Sequence, residues 1–93
     1  MATILWSRGA VMLRYEFEYL EDGIVSYRYH PEGKREYTGH VKVNSETGEI
    51  IEIILSGHPY EHDNYAYAGK LCVRIREFIA SGEFRESGIV AWC

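Results

Sequence analysis

Apolar and polar residues alternate along the first part of the chain. From residue 11 to residue 19 the odd positions carry apolar or aromatic side chains, and most even positions carry charged ones. The odd-numbered set is Val11, Leu13, Tyr15, Phe17 and Tyr19. Successive side chains of a β-strand point to opposite faces, so this period of two predicts a strand with one buried face. Residues 25–30 repeat the pattern and predict a second strand.

The segment 21–23 (Glu-Asp-Gly) connects these two strands. A two-residue Asp-Gly turn would pair odd with even positions and bring opposite faces together. We therefore predict a three-residue loop with its glycine in the left-handed conformation. That register sets Glu16 opposite Arg28 and Phe17 opposite Tyr27, and both are favourable cross-strand pairs.

Two further strands follow turns at residues 31–34 and 44–49, each of which contains a glycine. The third apolar row is Tyr37, Gly39, Val41 and Val43. We expect Gly39 to lie opposite Tyr27, where a ring can cover bare backbone. The fourth strand, residues 50–55, places Ile50 and Ile54 on the face that is polar in the other strands. Residues 3–6 predict a further short strand.

The period changes after residue 57, where a helical stripe replaces the alternation. Apolar residues recur at the i, i+3, i+4, i+7 spacing of an amphipathic helix: Ala68, Leu71, Cys72, Ile75, Phe78 and Ile79. Asp63 or Asn64 is the expected N-cap, and Gly82 is the expected C-terminal stop. Residues 88–92 predict a short closing strand.

These elements predict one α+β domain spanning residues 1–93. Its antiparallel β-meander of four to five strands packs its odd face under one C-terminal α-helix. The pattern leaves two positions open for the closing strand, which could pair with the edge of the meander or insert centrally.

Composition narrows the function classes. The chain has 93 residues and a net charge of −4, which disfavours nucleic-acid binding because that requires a basic surface. Five of the eight tyrosines fall on the predicted buried face, where they serve as core rather than as a base-stacking platform. Two cysteines make no disulfide framework, and no apolar run is long enough to span a bilayer. We expect a cytoplasmic protein without a membrane segment.

Residues 57–65 form the densest cluster of functional side chains. The candidate binding residues are His58, Tyr60, His62, Asp63 and Tyr65. His58, Glu61 and His62 also match H-x-x-E-H, the spacing with which inverted zinc peptidases bind zinc and activate water. That chemistry requires a long helix, whereas this segment is predicted to be a turn, so we assign no metal ligand and no cofactor. A strand-to-helix loop stiffened by Pro59 accounts for the same residues.

Apolar residues also occur among the charges of the outer sheet face. The candidate interface residues are Met12, Leu20, Ile24, Ile50 and Ile54. If these side chains are adjacent, they form an exposed apolar patch of the kind that mediates association. Sheet edges can pair between chains as well. Scattered surface aliphatics, or coverage of this face by the N-terminal segment, are the alternative explanations.

No serine or cysteine nucleophile motif and no glycine-rich phosphate loop is present in the sequence. We therefore expect a non-enzymatic interaction module that binds a protein partner or a second copy of itself through a sheet face or edge. Two alternatives stay open. The first is a mobile-element-encoded inhibitor that blocks a nucleic-acid enzyme by surface mimicry. The second is a metal-binding protein that uses His58, Glu61, His62 and Asp63.

Overall fold

The structure is a computed structural model that describes residues 11–92, so the strand predicted at residues 3–6 lies outside the described residues. The strands are β1 (Val11–Glu21), β2 (Ile24–Pro31), β3 (Gly39–Asn44), β4 (Ile50–Ile54) and β5 (Ser87–Trp92), and the helix is α1 (Ala68–Ser81). All five strands belong to one antiparallel sheet in the order β4-β3-β2-β1-β5. The predicted α+β meander is confirmed, and the closing strand pairs with β1 at the edge opposite β4. Within residues 11–92 no helix combines the length and apolar character needed to cross a bilayer.

One face of the sheet and the apolar stripe of α1 form the hydrophobic core. The sheet contributes Leu13, Tyr15, Val25, Tyr27, Tyr29, Val41, Val43 and Val90, and the helix contributes Ala68, Leu71, Cys72, Ile75 and Phe78. The predicted helical stripe is thus confirmed, and so is the predicted buried face apart from Tyr19. Gly82 ends the helix in the left-handed conformation at φ 79°, as expected.

The β1–β2 hairpin differs from the prediction in its turn. The pairs Glu16–Arg28 and Phe17–Tyr27 form as expected. The loop, however, has two residues, Asp22 and Gly23, both with positive φ, as in a type I′ turn. A β-bulge at Glu18 absorbs the change of parity, because the register shifts between Phe17 and Tyr19.

This bulge moves two side chains to the opposite face from the one predicted. Tyr19 lies opposite Ser26 on the outer face, although the alternation assigned it to the core face. Leu20 lies opposite the buried Val25, on the core side of the sheet, although it was expected on the outer face. It remains 46% exposed.

A second register shift, between Lys42 and Val43, changes the assignment of β4. Ile50 lies opposite Val43 and therefore on the core side, so the prediction that Ile50 shares the outer face with Ile54 is wrong. Ile54 lies opposite His40 on the outer face, as expected.

Two buried tyrosines lie against glycines of neighbouring strands. Gly39 lies opposite Tyr29 rather than Tyr27, and a Cβ at position 39 would collide with the Tyr29 ring. Gly88 stands in the same relation to Tyr15 across β1 and β5. The idea that a ring covers bare glycine backbone is therefore correct, but the predicted partner was shifted by two residues.

Candidate functional site

A buried carboxylate organises the loop between β4 and α1. Glu61 is 3% exposed and accepts five hydrogen bonds. Its Oε1 accepts from the Tyr29 hydroxyl at 2.5 Å, the Ser56 hydroxyl at 2.7 Å and the Ser56 N–H at 3.4 Å. Its Oε2 accepts from the backbone N–H groups of Tyr67 and Ala68 at 2.9 and 2.7 Å. Glu61 therefore joins β2 and the loop to the start of the helix.

This arrangement corrects the predicted helix cap. The N-cap residue is Tyr67, whose side chain makes no capping hydrogen bond, so neither Asp63 nor Asn64 caps α1. Asn64 instead accepts from the N–H groups of His62 and Ala66 within the loop. Burial by itself would raise the pKa of Glu61, but the donors from Tyr29, Ala68, Ser56 and Tyr67 together hold it below its ordinary value. An ionised Glu61 is the anion that stabilises the helix N-terminus.

The residues of the predicted cluster at 57–65 do not converge on one point. His58 is buried, whereas Tyr60, His62, Asp63 and Tyr65 are exposed. Both oxygens of Glu61 are taken up by the hydrogen bonds above, and the H-x-x-E-H residues lie in turns rather than on a helix. Among residues 11–92, no three His, Cys, Asp or Glu side chains lie close enough together to hold a metal ion.

The structure does place His58 and Tyr60 in the wall of a pocket of about 430 Å³. This pocket lies between the start of β1, the β2–β3 turn, the loop before α1 and the end of β5. Its lining residues are Val11, Glu32, Lys34, His58, Tyr60, Ala66, Tyr67 and Trp92. Its volume lies in the range of small-molecule sites.

Aromatic side chains make up half of the residues that line the pocket. The His58 ring packs against Tyr37, Tyr67 and Tyr60, with ring centroids 5.0, 5.1 and 5.5 Å apart. Tyr67 in turn packs edge-on against Trp92 at 5.8 Å. These contacts fix the orientation of the rings before any ligand arrives.

Glu32 and Lys34 are the charged lining residues that the sequence did not single out. The Glu32 carboxylate accepts from the Tyr67 hydroxyl at 2.8 Å and from the Met12 N–H at 3.4 Å. Lys70 of α1 lies 5.5 Å above the Trp92 ring, a cation–π distance. Because the lining comes from four separate stretches of chain, only the sheet order brings these residues together.

The outer face of the sheet carries a charged network at its centre. Glu16 accepts from the Arg28 guanidinium at 2.8 Å and lies 3.3 Å from His30 Nε2. Glu18 accepts from the Ser26 hydroxyl at 2.8 Å and lies 3.0 Å from His40 Nδ1. The hydrogen bond from Arg28 lowers the pKa of Glu16 below its ordinary value.

The five predicted interface residues do not form one patch. Met12, Ile24 and Ile54 are on the outer face, but they belong to different rows of the sheet and the charged network lies between them. Leu20 and Ile50 lie on the other side, as described above. The register therefore separates side chains that simple alternation would have grouped.

The edge strand β4 is where exposed apolar residues do come together. Its sequence is Ile-Ile-Glu-Ile-Ile, and Ile51 and Ile54 are 48% and 47% exposed. Glu52 is the one charged residue of the strand, and its carboxylate lies 3.3 Å from Lys42 of β3. In the part of the chain that the structure describes, β4 pairs on one side only.

Comparison of the chain with protein-family models, curated proteins and solved structures finds no match. Its function is therefore argued from its own geometry.

Proposed function

We propose that this protein is a non-enzymatic interaction module that associates through the β4 edge, and that the occupant of this edge is β4 of a second copy. The observation that carries the proposal is an apolar edge strand that, among residues 11–92, pairs on one side only. Such an edge presents a row of unpaired N–H and C=O groups to any incoming strand. Natural sheets usually protect their edges with lysine, proline, a bulge or a short strand. β4 has five residues and a bulge at its start, but it contains neither lysine nor proline.

The charge of β4 favours a second copy in one particular register. An antiparallel pair centred on Glu52 would set two carboxylates directly opposite each other, which is destabilising. A pair centred on Ile53 sets this residue against its own copy and sets Glu52 against Ile54 of the partner subunit. Each Glu52 then keeps its contact with Lys42. The twofold pairing closes on itself, as an isologous interface must.

The bulge at the start of β4 limits the length of the contact. It leaves the regular part of the strand, from Glu52 onwards, to pair. Such a short contact supports a weak dimer, with an expected dissociation constant of the order of 10–100 μM.

Sedimentation equilibrium tests this proposal with a matched pair of variants. Ile54→Lys introduces a charge at the β4 edge, whereas Ile89→Lys introduces the same charge at a residue of equal exposure on β5, the opposite edge strand. We expect the native chain and Ile89→Lys to dimerise and Ile54→Lys to stay monomeric, with unchanged circular dichroism in all three. A monomeric native chain, or equal loss of dimer in both variants, would contradict the proposal.

No observation in the described residues favours either of the two alternatives from the sequence, nucleic-acid mimicry or metal binding. Surface mimicry of a nucleic acid relies on unpaired acidic groups, but Glu16 and Glu18 on the outer face already contact Arg28 and His40. Metal binding at residues 58–63 relies on Glu61, whose oxygens already accept five hydrogen bonds.

A further inference from the structure

The charged groups at the aromatic pocket are not equally available to a ligand. The chain carries a net charge of −4, yet the charged groups at the pocket are one carboxylate, Glu32, and two ammonium groups, Lys34 and the adjacent Lys70. The Glu32 carboxylate is already satisfied by the Tyr67 hydroxyl and the Met12 N–H. The buried Glu61 carboxylate, which accepts from the Tyr67 N–H, likewise has both oxygens hydrogen-bonded, so the charged groups left for a ligand are the two ammonium groups, which favour an anion.

A buried ring nitrogen adds a directed donor to this pocket. The Tyr60 N–H donates to His58 Nδ1 at 3.1 Å, so Nδ1 carries no proton and Nε2 carries one. Within residues 11–92 Nε2 has no hydrogen-bond partner, although the His58 side chain is only 5% exposed. Because His58 lines the pocket and no described residue accepts from Nε2, this N–H is the donor that we assign to a ligand in the pocket.

The aromatic side chains that line the pocket determine which ligand shape fits. Tyr60, Tyr67 and Trp92 line the pocket. Tyr67 packs against both His58 and Trp92, and Tyr60 packs against His58, so this aromatic wall suits a flat apolar body. The Lys34 ammonium and the His58 N–H can then receive an anionic group attached to that body.

From these groups we infer a small-molecule site, separate from the β4 edge, that binds a planar aromatic carboxylate. The ring of the ligand lies among Tyr60, Tyr67 and Trp92. Its carboxylate accepts from His58 Nε2 and pairs with Lys34. An aromatic ammonium ion of the same size binds more weakly, because it meets Lys34, Lys70 and the His58 N–H.

Nuclear magnetic resonance titration of the full chain with benzoate tests the site, and benzylammonium is the control of opposite charge. The reporters are the Trp92 indole N–H and the backbone N–H groups of residues 58–67. We expect saturable benzoate shifts confined to the pocket, with a dissociation constant of the order of 1 mM for so small a ligand. Benzylammonium should bind at least about tenfold more weakly.

Two Lys→Met variants distinguish the effect of a charge at the pocket on benzoate binding from the effect of the net charge of the chain. Lys34→Met removes the pocket ammonium, whereas Lys42→Met removes an ammonium on the outer sheet face. Lys34→Met should weaken benzoate binding about three- to tenfold, and Lys42→Met should leave it unchanged. The inference is overturned if benzoate gives no saturable shift, if benzylammonium binds as well or better, or if both variants behave alike.

Discussion

Replacing Glu61 by glutamine tests the claim that this carboxylate joins the sheet, the loop and the helix. Glutamine keeps the shape and leaves one oxygen for the N–H groups of Tyr67 and Ala68. Its NH₂ group then faces the hydroxyls of Tyr29 and Ser56, which can rotate to accept. The Ser56 N–H loses its acceptor, and the four hydrogen bonds of 2.5–2.9 Å lose their charge.

The expected magnitude follows from that count. Hydrogen bonds to charged groups contribute about 1.5–3 kcal/mol, against about 0.5–1.5 kcal/mol for neutral ones, so the gross loss over four bonds is about 4 kcal/mol. The lower desolvation cost of a neutral amide offsets part of this loss. We expect Glu61→Gln to lower the free energy of unfolding by about 2 kcal/mol, a large share of the roughly 5–15 kcal/mol of an ordinary domain.

Urea unfolding followed by circular dichroism at pH 7 measures the difference. Glu77→Gln is the matched control, because Glu77 is an exposed helix residue paired only with Arg74 at 3.0 Å. We expect that control to change the free energy of unfolding by less than about 0.5 kcal/mol.

The same difference should depend on pH in a defined direction. The pKa of Glu61 in the folded chain lies below the ordinary value of 4.5, so protonation favours the unfolded chain. The stabilisation from Glu61 is complete above pH 4.5 and is lost as the pH falls through the folded pKa. The advantage of the native chain over Glu61→Gln must therefore shrink on acidification. Equal stability at pH 7, or a gap that widens in acid, would refute this reasoning.

Two further predictions concern core contacts. Gly39→Ala should lower the free energy of unfolding by about 1–3 kcal/mol in urea titrations, because the new Cβ collides with the Tyr29 ring. Gly69→Ala should instead raise that free energy by about 0.4–1 kcal/mol, because Gly69 is a helical glycine with open space around it. A harmless Gly39→Ala would contradict the close approach. Tyr27→Phe should lower the free energy of unfolding by about 1 kcal/mol in thermal melts, because the Tyr27 hydroxyl donates to the buried-side carbonyl of Arg85 at 2.6 Å. An unchanged melting temperature would argue against that bond.

The alternation of side chains was sufficient to predict the buried face, because the pleat imposes a period of two wherever a strand is regular. It could not locate the bulge at Glu18. A three-residue loop and a two-residue turn preceded by a bulge both restore the parity of the faces, and the residues of the turn fit either solution. The misplaced faces of Tyr19 and Leu20 follow from that ambiguity.

The candidate sites were predictable only where their residues are close in sequence. His58 and Tyr60 were singled out, and they do line the pocket. Glu32 and Trp92 reach it through the pairing of strands far apart in the chain, for which no local pattern exists. The helix cap was missed for a similar reason. Capping rules look at the residue next to the helix, whereas the carboxylate of Glu61 reaches the helix start from six residues before the N-cap.

Amide hydrogen exchange at two protein concentrations tests the β4 edge most directly. The N–H groups of β4 that point away from β3 have no partner among residues 11–92 of one copy, so they should exchange rapidly in dilute protein. Between about 5 μM and about 500 μM protein, we expect their exchange to slow severalfold as dimer forms, while the edge amides of β5 keep their rates. Unchanged exchange along β4 over this range, or slowing along β5 instead, would contradict association through β4.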